Sequence, residues 1–249
     1  MNVNFLNKLM DTASDITMPY FKSNNFNIES KQDGSPVTIA DKESELALRK
    51  LINEAYPDHG ILGEEFGSEN ADAQYVWIID PIDGTKAFVS QIDTFANMVG
   101  LLKNGVPIMS AIGFPAKGER FIGIGGVAYL NGEIITASTA NLSDCDVCFC
   151  GAYMFDEQET KQVENVIASS GGTIVEGDAY NYCRMACGDS RIIIESDLQA
   201  YDFLPLVPIV NGAGGRVTDW AGDILTLDSS MQVISGGTAY DSAIKLLNS

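Results

Sequence analysis

The chain has one histidine, His59, in 249 residues, and only 15 basic residues against 34 acidic ones. With a single histidine, Ser/His and Cys/His nucleophile schemes and His-ligated zinc each lack a part. A formal charge of −19 leaves no broad positive face, so neither nucleic acid nor an anionic membrane is an expected partner. Long apolar runs are also missing. The longest strongly apolar stretch, Phe203 to Val210, contains Pro205 and Pro208 and is far too short to span a bilayer. The first residues, Met1 to Leu6, carry neither a basic start nor an apolar core of signal-peptide length, so a cytoplasmic protein is expected. Cysteine is odd in number, at five, and Cys145-x-x-Cys148-x-Cys150 has no second pair at zinc-site spacing. That cluster reads as part of a buried strand. His59 lies in Tyr56-Pro57-Asp58-His59-Gly60, a loop composition, and is expected to be solvated.

Hydrophobic residues make up 45% of the chain, enough for the core of one large domain or two small ones. The informative stretch is Trp77-Ile78-Ile79-Asp80-Pro81-Ile82-Asp83-Gly84-Thr85. An apolar run from Tyr75 to Ile79 predicts a short buried strand that Pro81 stops, so that it ends on the Asp80 carboxylate. Asp83 follows, and Gly84 permits a tight turn whose amides can approach an anion. Carboxylates alone would repel a phosphate. The arrangement therefore makes chemical sense with hard divalent cations between acids and substrate, Mg²⁺ first among them.

Asp-Pro-Ile-Asp-Gly-Thr directly after an apolar strand resembles the metal-binding signature of the inositol monophosphatase superfamily of Mg²⁺-dependent small-molecule phosphatases. Further segments match in family order. Val37-Thr38-Ile39-Ala40-Asp41 resembles the Val-Thr-x-x-Asp pattern, although Thr38 and Asp41 also suit plain helix capping. Gly63-Glu64-Glu65 resembles the family's Gly-Glu-Glu, and Lys31 matches a lysine near the mobile metal-site loop. Tyr201-Asp202 stands where many members have Trp-Asp before a helix and a Gly-Gly turn, and Asp202 equally suits an N-cap. The resemblance implies an α/β, α+β layered fold, the αβαβα sandwich of the inositol monophosphatase and fructose-1,6-bisphosphatase type. It also implies two or three Mg²⁺ ions per site, with Mn²⁺ as an alternative, and a homodimer. Glu64, Asp80, the Ile82 carbonyl, Asp83 and Asp202 would be the metal ligands. Asp41, Thr85 and Glu64 would be catalytic, with Asp41 pairing with Thr85 to orient and deprotonate the attacking water. Asp83, Gly84 and Thr85 would contact the phosphate, and Lys31 and Glu65 would support the ligands.

The small, polar composition around Thr136 to Asp144 suggests a boundary between an N-terminal α+β domain, residues 1–138, and a C-terminal α/β domain, residues 139–249. Earlier in the chain, Asn104-Gly105 and Asn131-Gly132 predict hairpin turns, and Gly123-x-Gly125-Gly126 reads as a bulge or turn rather than a nucleotide loop. In the second half the sequence predicts strands ending at Gly151, Glu176 and Glu195, with helices between them and an apolar helix running from Tyr201 to Gly212. Lys86-Ala87-Phe88 and the stretch Gly177 to Tyr182 resemble the family's histidinol-phosphatase branch. The glutamate matching Glu195 contacts the non-phosphate part of the substrate in the family. Glu195 with Asp178 would suit the amine and imidazole of L-histidinol phosphate. An inositol monophosphatase, or a broader sugar- or nucleotide-phosphate phosphatase, is the alternative, and a non-catalytic metal-binding regulator is a more remote one.

Overall fold

Helix α1, Val3–Ser23, turns Leu6, Leu9, Met10, Ala13 and Thr17 to one side at helical spacing and buries them. A computed structural model describes residues 2–23, 29–30, 36–175, 177–229 and 231–249, so the expectation for Lys31 lies outside the described residues. The two-residue strands β1, Glu29–Ser30, and β2, Pro36–Val37, pair antiparallel and lead into α2, Ile39–Ala55. Thr38 caps α2 in a reciprocal capping box with Asp41. The buried face of α2 carries Asp41, Glu45 and Arg49 alongside Leu48 and Ile52, so it is not simply an apolar stripe.

An eight-stranded sheet follows, with order β10-β9-β8-β7-β6-β5-β3-β4. Its strands are β3 (Gly60–Gly63), β4 (Gly67–Glu69), β5 (Tyr75–Asp83), β6 (Ala96–Lys103), β7 (Val106–Phe114), β8 (Glu119–Ile124), β9 (Val127–Leu130) and β10 (Glu133–Ile134), with the short helix α3 (Thr85–Val89) between β5 and β6. Alternation along β5 sends Trp77 and Ile79 to the α1–α2 side, while Val76 and Ile78 face the middle of the molecule. The Asn104-Gly105 and Asn131-Gly132 turns form as expected, with φ of 51° and 79° in the first and 49° and 90° in the second. Gly125 and Gly126, at φ 62° and 77°, make the β8–β9 turn.

The second sheet has order β12-β11-β13-β15-β14 and uses β11 (Asp146–Phe149), β12 (Gly172–Val175), β13 (Arg191–Glu195), β14 (Arg216–Thr218) and β15 (Val233–Gly236). Helices α5 (Asp178–Ala186), α6 (Ala200–Phe203) and α7 (Val207–Gly212) fill the space between the sheets, where Tyr182, Met185, Phe203, Leu204 and Val210 meet Ile78 and Met98 from one side and Ile193 from the other. Helices α4 (Glu157–Ile167) and α8 (Tyr240–Leu247) cover the outer face of the second sheet through Val163, Val166, Tyr240, Ala243 and Leu247. The layers thus run α, β, α, β, α. No helix among the described residues is long and apolar enough to cross a membrane.

Two expectations change. Pro81 does not end its strand, because β5 continues to Asp83 across a register shift, and an irregularity in the ladder is where a residue without an amide hydrogen is tolerated. The helix expected from Tyr201 to Gly212 is three short pieces, α6, a 3₁₀ turn at Leu204–Leu206, and α7, with Pro205 and Pro208 at the junctions. Gly123 lets α7 lie against the sheet, since a Cβ there would overlap the Pro208 backbone.

Candidate active site

Strand β5 delivers the first acids. Asp80 pairs with Met98 and Asp83 with Ala96, so Pro81 and Ile82 together oppose Asn97 alone. The Asn97 side chain fills the gap by donating from Nδ2 to the Pro81 carbonyl at 2.7 Å. This bulge lets both Asp80 and Asp83, at the C-terminal end of the interior strand β5, face one acid cluster, where strict alternation would have sent residues three apart to opposite faces. Asp80 is 2% exposed. Strand β3 runs parallel to β5, and the Glu64 N–H donates to the Ile79 carbonyl at 3.2 Å, setting Glu64 beside Asp80.

Gly84, at φ 73°, turns the chain into α3. The Thr85 hydroxyl donates to the Ile82 carbonyl at 3.1 Å. The Asp83 carboxylate accepts from the Ala179 N–H at 3.0 Å, which ties the end of β5 to the start of α5. Asp178 adopts a left-handed φ of 40°, sparsely populated for a residue with a side chain, and its carboxylate sits so close above Gly84 that a Cβ there would approach Oδ2 to 2.7 Å. Asp202 accepts from the Gln199 N–H at 2.7 Å, serving as a cap while facing the same cluster.

Burial, then Glu64, Asp83 and Asp202 in turn, push the Asp80 carboxyl well above the ordinary carboxylate range. Asp83 is raised in the same way, by burial first and then by Asp178. Burial carries Asp202 up to about 7 despite its backbone hydrogen bond. Asp80 Oδ1 is buried with no hydrogen-bond partner. Hard oxygen donors held this close, one of them unpartnered, suit a hard divalent cation. Among the described residues, however, no three Asp, Glu, His or Cys side chains form a complete ligand set, so the acids converge without being gathered onto one point.

The expected contact between Asp41 and Thr85 is not made. Asp41 Oδ2 accepts from both the Thr38 N–H, at 2.8 Å, and the Thr38 hydroxyl, at 2.6 Å, because Asp41 is the third residue of α2 and closes its capping box. Its Oδ1 stays buried and unpartnered, and burial raises the carboxyl to about 7. Glu65 donates its N–H to Glu45, and its own Oε1 is buried. His59 is not simply solvated: its ring stacks between Tyr56 and Tyr75, with centroids 4.8 and 5.0 Å away, and Nδ1 accepts from the Trp77 indole at 3.1 Å.

The second sheet closes the far wall. Glu195, at the end of β13, is 3% exposed; Oε2 accepts from the Tyr182 hydroxyl at 2.6 Å, and Oε1 lies 2.8 Å from the Cys150 thiol. Cys150 is also 3.1 Å from Asp178 Oδ1. Burial raises Glu195 to about 7, and burial with Glu195 drives the Cys150 thiol far up, which disfavours its thiolate. Neither Cys150 nor Tyr182 was assigned a role from sequence, and neither carries a spacing signal that could have revealed one. Between the walls lies a cavity of about 280 Å³, lined by Glu64, Asp83, Thr85, Asp178, Glu195 and Asp202 together with Lys86 and the exposed Tyr153. A larger cavity, about 620 Å³, borders α1 near Met10, Arg120 and Tyr129 and contains none of these acids.

Residues 3–248 match the inositol monophosphatase family. The "Bifunctional phosphatase IMPL2, chloroplastic" of Arabidopsis thaliana is 38% identical over 233 residues, 92% of this chain and 67% of that protein. The histidinol-phosphatase of Chlorobaculum parvum is 32% identical over 218 residues, 86% of this chain and 84% of that one. Among solved structures, an inositol monophosphatase from Zymomonas mobilis superposes with a TM-score of 0.88 at 32% identity, covering 99% of this chain and 97% of its own.

Proposed function

The chain belongs to the inositol monophosphatase family and is a phosphoric monoester hydrolase, and on that premise we propose that it hydrolyses L-histidinol phosphate to L-histidinol using Mg²⁺. The observation carrying the substrate reading is the acidic far wall. Glu195 and Asp178 bracket one thiol, and the cavity lining carries six Asp and Glu side chains against a single basic one, Lys86, whose ammonium lies over the Tyr153 ring. A buried anionic wall favours a cationic substrate group over a neutral polyol.

In this reading Glu64, Asp80 and the Ile82 carbonyl would hold one ion, and Asp80, Asp83 and Asp202 would hold another. Bound Mg²⁺ supplies the positive charge that offsets the carboxylates, activates the attacking water and stabilises the leaving oxygen. The chain does the rest. Thr85 donates its hydrogen to the Ile82 carbonyl, so its hydroxyl oxygen remains able to accept a hydrogen bond from water. Asp41 keeps one carboxylate oxygen without a partner, and a carboxyl titrating near 7 suits it to take up a proton at neutral pH. The backbone of Gly84 and Thr85 bears on the phosphate oxygens. Attack in line on phosphorus, with inversion, needs no covalent bond to the chain.

The test is phosphate release from L-histidinol phosphate, inositol 1-phosphate and 3′-phosphoadenosine 5′-phosphate, each with Mg²⁺ and with excess chelator. Mg²⁺-dependent turnover biased strongly to histidinol phosphate is expected. Preference for another ester would keep the acid cluster and overturn the role given to Asp178 and Glu195.

A further inference from the structure

Glu45 is a fully buried carboxylate on α2, at a position where helical periodicity would place an apolar side chain. Its oxygens are saturated by the turn that follows β3. Oε2 accepts from the Glu65 N–H at 2.7 Å, and Oε1 accepts from the Phe66 N–H at 3.2 Å and from Arg49 Nε at 2.8 Å. Arg49, 8% exposed, also donates to the Gly67 carbonyl and pairs with Glu69 at 3.6 Å. Gly63 makes room for this arrangement, because a Cβ there would overlap the Glu45 carboxylate. Around Glu64, then, Gly63 is shaped to Glu45, the amides of Glu65 and Phe66 are held by Glu45, and the carbonyl of Gly67 is held by Arg49.

We infer that Glu45, backed by Arg49, is a positioning residue for Glu64: it fixes the turn from which Glu64 projects beside Asp80 and so sets the affinity of the acid cluster for its cation. A buried ion pair contributes little net stability compared with a well-packed apolar pair, so stability alone is a weak reason for placing one here. A carboxylate accepting two backbone amides fixes direction in a way an apolar side chain cannot. Asp41 lies one turn earlier on the same buried face, so a single helix sets both the Glu64 turn and the proposed proton acceptor. The affinity half of the inference rests on the Mg²⁺ reading above, whereas the positioning half does not.

The test uses the full chain and two readouts, calorimetric titration with Mg²⁺ and amide hydrogen exchange without metal. Glu45→Gln keeps the volume but turns an NH₂ group toward amide donors. Its Mg²⁺ affinity is expected to fall about tenfold, the usual cost of losing an outer partner of a metal ligand. Exchange at Glu65 and Phe66 should accelerate while Leu48 and Ile52 in α2 keep their protection. KM for the phosphate ester at saturating Mg²⁺ should stay at the wild-type value. A folded Glu45→Gln with wild-type Mg²⁺ affinity and wild-type exchange at Glu65 and Phe66 overturns the inference. Should that variant fail to fold, Arg49→Lys, which loses the forked contact, is expected to show the same two changes to a smaller degree, and wild-type behaviour in both would overturn it equally. If the wild-type chain binds no Mg²⁺, the metal reading falls, and the exchange rates at Glu65 and Phe66 alone decide whether Glu45 positions the turn.

Discussion

Cys150 and Glu195 meet at 2.8 Å across the ends of two neighbouring parallel strands, β11 and β13, and the Tyr182 hydroxyl occupies the other oxygen of the same carboxylate at 2.6 Å. Glu195 is therefore held in one orientation by two neutral donors, and among the described residues no salt bridge offsets its charge. Glu195→Gln removes that charge while retaining an acceptor. KM for L-histidinol phosphate is expected to rise about tenfold, the scale of one charge-assisted hydrogen bond, while KM for inositol 1-phosphate changes much less. Steady-state kinetics on both esters check this, and equal losses would refute the charge argument.

The crowding of acids around Asp80 makes activity and stability oppose each other. Asp80→Asn removes a buried carboxylate with one unpartnered oxygen, so the metal-free protein should melt roughly 2–4 °C higher, equivalent to about 1 kcal/mol for a chain of this size. The same change should lower kcat/KM by about a thousandfold or more, because a carboxylate proposed to serve both ions is lost. Thermal melts in chelator and turnover in Mg²⁺ measure the two halves. Wild-type turnover would remove Asp80 from the site.

The raised carboxyls fix a pH dependence for the metal-free protein. Asp41 and Asp202, ordinarily near 3.8, and Glu195, ordinarily near 4.5, are each carried to about 7 by burial. Between those limits the folded chain holds protons that the unfolded chain has released, so stability is expected to fall as pH rises from about 4 to about 7. Mg²⁺ displaces such protons, and its stabilising effect should accordingly be larger at pH 8 than at pH 5. Melting curves across that range, with Mg²⁺ and with chelator, report both trends. A metal-free chain that grew more stable toward pH 7 would contradict the burial of these groups.

The layered α/β fold and the place of Asp80 were legible in the sequence because they rest on local signals: an apolar run beside Asp-Pro-Ile-Asp-Gly-Thr, and Asn-Gly pairs at hairpin turns. Strand β15 and helix α8 were not read from the sequence. Val233–Gly236 is a four-residue strand whose identity comes from pairing between β13 and β14, a tertiary fact with no local period. Glu45, Asn97, Cys150 and Tyr182 escaped for a related reason. Each acts singly on a partner distant in the chain: Glu45 holds residues 20 positions on, Asn97 bonds 16 back, and Cys150 reaches 45 forward. No motif marks such a contact. Asp41 was found for its family position, yet its strong bond to Thr38 belongs to the capping alternative that the same sequence offered.

Asn97 carries the last expectation. The extra residue at the Asp80–Asp83 bulge interrupts the ladder at Pro81, whose buried carbonyl accepts from the Asn97 side-chain amide. Asn97→Ala removes that donor and should destabilise the protein by about 1–3 kcal/mol. It also frees the spacing between the two aspartates, so kcat/KM should fall by about ten- to a hundredfold, the usual penalty for small misplacements of reacting groups. Asn97→Asp has nearly the same shape but sets an acceptor against the carbonyl and adds a charge beside an acidic cluster. It should therefore be the worse of the two in chelator, while high Mg²⁺ recovers part of the difference by offsetting the added charge. Denaturant unfolding with and without Mg²⁺ separates the two effects, and an Asn97→Ala protein of wild-type stability and activity would show that the bulge holds its own geometry.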